Sequence, residues 1–167
     1  MNFMKTYRGF TLIEVLVVLI LIGIIASFVT LSIETRHPTK QLFQEAQRLA
    51  ALLTLAQQEA IMATKEMGLR MDEQGYQFYE LVEDSWQLIK QDDVFRSYQF
   101  PLPMTLDLQI EGTATSLASQ IPQIMLFSSG EILPFRVTLN TQPPQTFGYQ
   151  LEGTLNGQFH IYSEETL

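Results

Sequence analysis

The chain has 167 residues, no cysteine, and 18 acidic against 10 basic residues, a formal net charge of -8. That length suits one modest domain plus an anchor. The acidity argues against a surface built to hold nucleic-acid phosphates, and the missing cysteine excludes a disulfide framework, a thiolate zinc site and a cysteine nucleophile.

In chain order, a short leader comes first. Met1 to Gly9 contains Lys5 and Arg8 and no acid. An apolar run from Phe10 to Ile33 follows, and its single charge is Glu14. As a helix at ~1.5 Å per residue this run extends about 36 Å, enough to cross a hydrocarbon core of roughly 30 Å. Basic residues ahead of it place the N-terminus in the cytoplasm and the rest outside. A removable secretory signal explains the basic start but not Glu14. It also lacks a small-x-small cleavage site, the nearest being Ile24-Ile25-Ala26. A plain single-pass anchor likewise leaves Glu14 without a purpose.

A carboxylate at a bilayer centre costs roughly 2.5–3.5 kcal/mol, and less near an interface. A cut between Gly9 and Phe10 would create an α-amino group four residues from Glu14. Such an amine has a pKa of about 7.7–8.0, so much of it is cationic near neutrality. Within one helix it lies about one turn from the carboxylate. Between staggered helices the two charges can pair across neighbours, and in a low dielectric that pairing selects one register.

Arg8-Gly9-Phe10-Thr11-Leu12-Ile13-Glu14 resembles the type III signal of type IV pilins and pseudopilins. That signal is a basic leader, Gly before the cut, Phe after it, and Glu four residues further on. The resemblance implies that a prepilin peptidase removes Met1 to Gly9 and N-methylates Phe10. It further implies that Glu14 pairs with the amino group of an adjacent subunit during assembly. Loss of the leader would leave 8 basic residues (10 minus 2) against 18 acidic ones.

His37-Pro38 interrupts the apolar helix, because the residue before proline avoids the helical region. Thr39 can then cap a second helix, or the two can join through a kink. Leu42, Ala46, Leu49, Leu53, Ala56, Ala60, Ala63 and Met67 follow in steps of four and three, one stripe on a helix. Gly68 is a stop signal. The alanines in the stripe suit close approach of a sheet better than a coiled-coil seam.

Beyond Gly68 the period becomes two. The segments around Tyr76–Leu81, Met104–Ile110 and Phe135–Asn140 each read as half-buried strands. Asn156-Gly157 reads as a two-residue hairpin turn between Tyr149–Leu151 and Phe159–Ile161. Asp72–Gly75 and Ser128–Glu131 are further turns, and Pro101 and Pro103 confine their neighbours to edges or breaks. Glu111 to Gln123, rich in Thr, Ala and Ser, reads as a long surface loop.

Residues 124 to 139, "IMLFSSGEILPFRVTL", resemble the hairpin of H-type minor pseudopilins of type II secretion. The pattern is an apolar strand, a turn with Gly, then Pro-Phe opening the next strand, matched by Phe127, Gly130, Pro134 and Phe135. Related minor pilins of the type IV system share the general hairpin.

An enzyme is not expected. Ser128 and Ser129 lack a G-x-S-x-G elbow, and a β-turn explains them. His37 and His160 are isolated, with His160 at a solvent-facing strand position. No G-x-x-x-x-G-K-[ST] is present, so this is not an assembly motor. The pairs Asp72-Glu73, Glu83-Asp84, Asp92-Asp93 and Glu164-Glu165 lack D-x-D-x-D-G spacing and read as solvated turn charges. No metal and no cofactor is expected.

The sequence therefore leads to an α+β, pilin-like fold: a long N-terminal helix packed on an antiparallel β head. The expected divisions are a cleaved leader (1–9), a transmembrane helix (10–33), a periplasmic amphipathic helix (34–67) and a periplasmic antiparallel head (68–167). The resemblance implies a minor pseudopilin in the inner membrane, with its head in the periplasm at or near the tip of a pseudopilus that helps move folded proteins outward. Its implied partners are the prepilin peptidase, other minor and major pseudopilins, the inner-membrane assembly platform and secreted cargo. A minor pilin of a type IV pilus or DNA-uptake fibre is the alternative, which the acidity disfavours. A membrane-anchored periplasmic enzyme or receptor fits least.

Overall fold

The computed structural model describes residues 11–31, 38–90, 92–101, 104–141 and 147–164. Gly9, Phe10, His37, Pro103 and Glu165 lie outside them. The chain divides into two units, Met1–Arg36 and His37–Leu167.

In the first unit α1 runs from Leu12 to Leu31, with Glu14 as its only charge. Its side chains are described as far as Ile24. They have no buried face: Leu12, Leu16, Leu19 and Ile22 are all exposed, as are Ile13, Val17 and Ile20 between them. Among the described residues no helix is long and apolar enough to cross a membrane.

The second unit opens with α2 (Pro38–Ala63). Proline stands at its first position, where a missing N–H costs nothing and the fixed φ suits a helix. Thr39 therefore lies inside the helix instead of capping it. The expected stripe is buried from Leu42 through Ala46, Leu49, Leu53 and Ala56 to Ala60. It ends there, because the helix does. Thr64 adopts φ 51°, its amide bonds Ile61 O at 3.3 Å, and the Lys65 amide bonds Ala60 O at 3.0 Å. This is a Schellman closure with threonine where glycine is usual. Ala63 is exposed, Met67 belongs to the first strand, and Gly68 is no helix stop. A Cβ on Gly68 would lie 2.6 Å from Pro122 and 3.1 Å from Trp86, so glycine there permits packing against the strand.

Among the described residues the strands that follow are β1 (Met67–Asp72), β2 (Gly75–Val82), β3 (Ser85–Leu88), β4 (Tyr98–Gln99), β5 (Met104–Ile110), β6 (Thr113–Ala114), β7 (Ile124–Leu126), β8 (Phe135–Thr141), β9 (Gly148–Gly153) and β10 (Phe159–Glu164). They form two antiparallel sheets. One has the order β3-β2-β1-β7, with β4 also on β2. The other has the order β10-β9-β8-β5-β6. The period-two segments all became strands. Helix α2 packs on β1 and β7 of the first sheet and on β8, β9 and β10 of the second. Leu49, Leu53, Phe78, Leu126, Val137 and Leu151 are among the side chains closed in one apolar core of the described residues.

Three local expectations change. The segment 124–139 is not a simple hairpin: β7 pairs with β1 and β8 with β5 and β9. Only a Leu126–Ile132 bridge joins its two arms directly. It is the crossover between the sheets. The β9–β10 loop is a three-residue one. Gly157 N bonds Thr154 O at 2.8 Å and Thr154 N bonds Gln158 O at 3.0 Å, with Gly157 at φ 75°, a turn followed by a glycine bulge. Finally, the 111–123 segment is anchored. It begins with β6, and it ends at buried Gln123, whose amide bridges Met71 N at 2.9 Å and Met71 O at 3.0 Å.

Candidate functional site

Thr11 precedes the first residue of α1, and its hydroxyl accepts the Glu14 amide at 3.4 Å. Its carbonyl accepts the amides of Glu14 at 3.1 Å and Val15 at 3.3 Å. Thr11-Leu12-Ile13-Glu14 has the spacing of a capping box, in which a Thr side chain satisfies the third helical amide. The carboxylate of Glu14 thus lies in the first turn of α1, at the positive end of the helix dipole. Around it the helix presents only apolar side chains. The expected cleavage and methylation residues, Gly9 and Phe10, are outside the described residues. Glu14 is therefore the one site residue whose setting is visible. The T-x-x-E spacing is the signal that would have identified Thr11 as its partner.

In the head the signature segment is held from both sides. At the turn, Gly130 has φ 87°, and its amide bonds Phe127 O at 2.9 Å while Phe127 N bonds Glu131 O at 3.1 Å. Gln57, nearly buried on α2, donates to Gly130 O at 2.7 Å. Glu66 accepts from both Ser128 N and Ser128 Oγ. Ser128 is thereby committed to a structural bond, as the turn reading anticipates. Pro134 opens β8, and Phe135 packs beside Gly153, where a Cβ would lie 2.2 Å from its ring. His160 is exposed beside Tyr162.

A second anchor joins α2 to β4. The Tyr98 hydroxyl donates to Glu45 Oε1 at 2.9 Å, and the Arg48 guanidinium lies 3.5 Å from the Tyr98 ring centre. Burial, then the bond to Glu45, raises the pKa of Tyr98. Burial also raises that of Tyr76, whose hydroxyl has no hydrogen-bond partner. Arg48 is near enough to favour the Tyr76 phenolate, but it forms no well-made bond to that oxygen. At the helix exit Lys65 pairs with Glu80 at 3.2 Å and Glu59 at 3.3 Å. Burial alone would lower its pKa, but the two carboxylates outweigh that and the net shift is upward. Nothing in the sequence pattern marks the Glu45–Tyr98 and Lys65–Glu80 anchors, since each joins residues distant in the chain.

Asp72 and Asp92 spend their carboxylates on turn amides, Asp72 on Gln74 and Gly75 and Asp92 on Val94 and Phe95. Among the described residues no group of three or more metal-ligating side chains forms. The arrangement is one of fixed turns, a helix–sheet core and an apolar helix bearing one carboxylate.

Comparison with known proteins agrees with this description. A family model described as the prokaryotic N-terminal methylation motif matches residues 4–30, and one described as type II transport protein GspH matches residues 45–157. The chain is similar to type II secretion system protein H of Aeromonas hydrophila, 33% identical over 155 residues, covering 83% of this chain and 85% of that protein. It is 31% identical to type II secretion system protein H of Pseudomonas aeruginosa, covering 85% of this chain and 88% of that one. In fold it resembles the minor pseudopilin EpsH of Vibrio cholerae, with a TM-score of 0.63 at 22% identity over 77% of this chain and 99% of that one. The solution structure of E. coli GspH gives a TM-score of 0.58 at 16% identity, covering 78% of this chain and 94% of that one.

Proposed function

The chain belongs to the type II transport protein GspH family and is a minor pseudopilin of a type II secretion system, and from this premise we propose that it assembles through Glu14 at or near the tip of a periplasmic pseudopilus. In this reading a prepilin peptidase cuts between Gly9 and Phe10 and N-methylates Phe10. Helix α1, continuing the run from Phe10 to Ile33, waits in the inner membrane with its N-terminus cytoplasmic. The head stands in the periplasm beside other pseudopilins and the exported cargo, above the inner-membrane assembly platform.

The observation that carries this reading is the surface of α1. Its described side chains are exposed and apolar on every face, with one carboxylate in the first turn. A helix apolar all round requires lipid or other helices. A single carboxylate near the bilayer interface needs a cation, and the Phe10 amine of a neighbouring subunit supplies it. As the helix leaves the membrane, apolar contacts with neighbouring helices replace lipid contacts, and the charge pair fixes the register.

The test is mass spectrometry of the native protein joined to co-purification. The expected N-terminus is methylated Phe10, and Gly9→Val should leave the leader attached. An intact Met1, or a terminus created near Ala26, would overturn the signal. Glu14→Ala should be processed normally yet recover fewer partner pseudopilins. Undiminished recovery would refute assembly through Glu14.

A further inference from the structure

The Pro-Phe step of the signature segment lines a cleft of about 350 Å³ at one end of the second sheet. Pro134 and Leu155 supply the accessible apolar lining, with Leu155 60% exposed, while Phe135 is a core residue at the cleft floor, 4% exposed. Glu111, Arg136 and Glu152 supply the charges. Arg136 is already engaged, with Nε at 2.7 Å and Nη2 at 2.6 Å from the same oxygen, Oε1 of Glu152. That leaves Glu152 Oε2 and the whole Glu111 carboxylate without a partner among the described residues. The cleft therefore has an apolar lining and uncompensated negative charge.

Glu111 is held at the rim of the cleft by a tight turn. With Gly112 it forms the two-residue turn between β5 and β6, at φ 50° and 76°. Such a turn prefers Asn, Asp or Gly at the first position. Its amide is held by Pro134 O at 2.7 Å, so the turn is tied to the segment that lines the cleft. Glu83 takes the same left-handed state in the β2–β3 turn, so what distinguishes Glu111 is its place on the rim of the cleft and not its backbone.

We propose that this cleft receives an extended segment of a different, neighbouring pseudopilin head. An aliphatic side chain of that segment sits on Pro134 and Leu155, and an adjacent Lys or Arg pairs with Glu111 and the free oxygen of Glu152. The inference rests on the fibre-assembly reading above and adds to it where and by what chemistry the head makes contact. Charge selects the occupant. A second copy of this chain, at net charge -8, is a poor source of the required cation. A cleft with fixed turns, sized for a side chain or two, suits one constant neighbour better than cargo of varied surface.

The full chain in detergent micelles, labelled with nitrogen-15, provides the test. The probes are two capped pentapeptides, acetyl-Ser-Leu-Arg-Val-Ser-amide and the same peptide with Glu in place of Arg. The arginine peptide should shift the amides of Gln109 to Gly112 and Gly153 to Leu155 saturably, and the glutamate peptide should bind about tenfold more weakly. Glu111→Asn keeps a residue that tolerates positive φ, so the turn is retained, and should weaken the arginine peptide by up to about fivefold. Equal affinity for the two peptides, shifts confined to other surfaces, or an unchanged affinity in Glu111→Asn would each overturn the proposal. These readouts are independent of leader cleavage and Glu14-dependent recruitment, so failure of the cleft and failure of the assembly reading are distinguishable.

Discussion

Glu66 accepts two hydrogen bonds from Ser128, one from the amide at 3.1 Å and one from the hydroxyl at 2.9 Å. The pair joins the segment between α2 and β1 to the crossover turn between the two sheets, 62 residues away in sequence. A charged acceptor makes these bonds stronger than neutral ones. Glu66→Ala should therefore destabilise the head by about 1–3 kcal/mol, and Ser128→Ala by about 1 kcal/mol. Because the hydroxyl bond is lost in either single variant, the double variant should cost less than the sum. Urea unfolding of the full chain in detergent, followed by the fluorescence of Trp86, the sole tryptophan, measures all three. Strict additivity would show that the two residues do not act as a unit.

The pH response of the head follows from three upward shifts. Lys65, Tyr76 and Tyr98 each hold their proton more tightly when folded. Their contribution is fully present below the unfolded pKa values, about 10 for tyrosine and 10.4 for lysine, and is lost as pH rises through the folded ones. Stability should thus fall above roughly pH 10. Tyr76→Phe removes a buried hydroxyl that has no partner. At pH 7 it should be neutral or stabilising by up to about 1 kcal/mol, and its alkaline loss should be shallower than in the parent. A marked loss at pH 7, read as a lower urea midpoint, would mean that the hydroxyl is bonded in solution.

The two periodicities were legible in the sequence because burial imposes them. The stripe from Leu42 to Ala60 and the alternation in β2, β5 and β8 each put apolar side chains on the face that became core. What was not legible is where long-range partners override local signals. Gly68 reads as a helix stop, yet Thr64 ends the helix, and Gly68 serves the contact with Pro122 and Trp86. The 124–139 segment reads as a hairpin because alternation does not say which strand lies alongside. Its arms part to β1 and to β5 and β9. At the N-terminus the Thr11 cap on the Glu14 amide is legible as well, in the T-x-x-E spacing of residues 11 to 14.

Gly112 and Gly157 have nearly the same φ, 76° and 75°, and different surroundings. A Cβ on Gly112 meets nothing within 4 Å, whereas one on Gly157 would lie 1.8 Å from Gln57 Nε2. Gly112→Ala should cost only the backbone term, about 1 kcal/mol. Gly157→Ala should cost at least another 1 kcal/mol, because Gln57 must move and its bond to Gly130 O is lost. Equal urea midpoints for the two variants would show that Gln57 does not clamp the two loops.

Glu14 has two distinct reasons to be where it is. As the third residue of α1 after the Thr11 cap, its carboxylate favours the helix N-terminus by about 0.3–1 kcal/mol. As the only charge in α1, it is also the group proposed to meet a neighbour's Phe10 amine. Glu14→Gln separates them. Glutamine retains the capping-box geometry and lacks the charge. If charge pairing governs assembly, Glu14→Gln should be as deficient as Glu14→Ala in recovering partner pseudopilins, while Thr11→Ala assembles almost normally. If the cap governs, Glu14→Gln should be restored and Thr11→Ala impaired. Quantitative co-purification of the three variants, each checked for a mature Phe10 terminus, decides between them. The charge term should dominate, because a cap of about 1 kcal/mol is a small part of the packing that a long apolar helix gains from its neighbours.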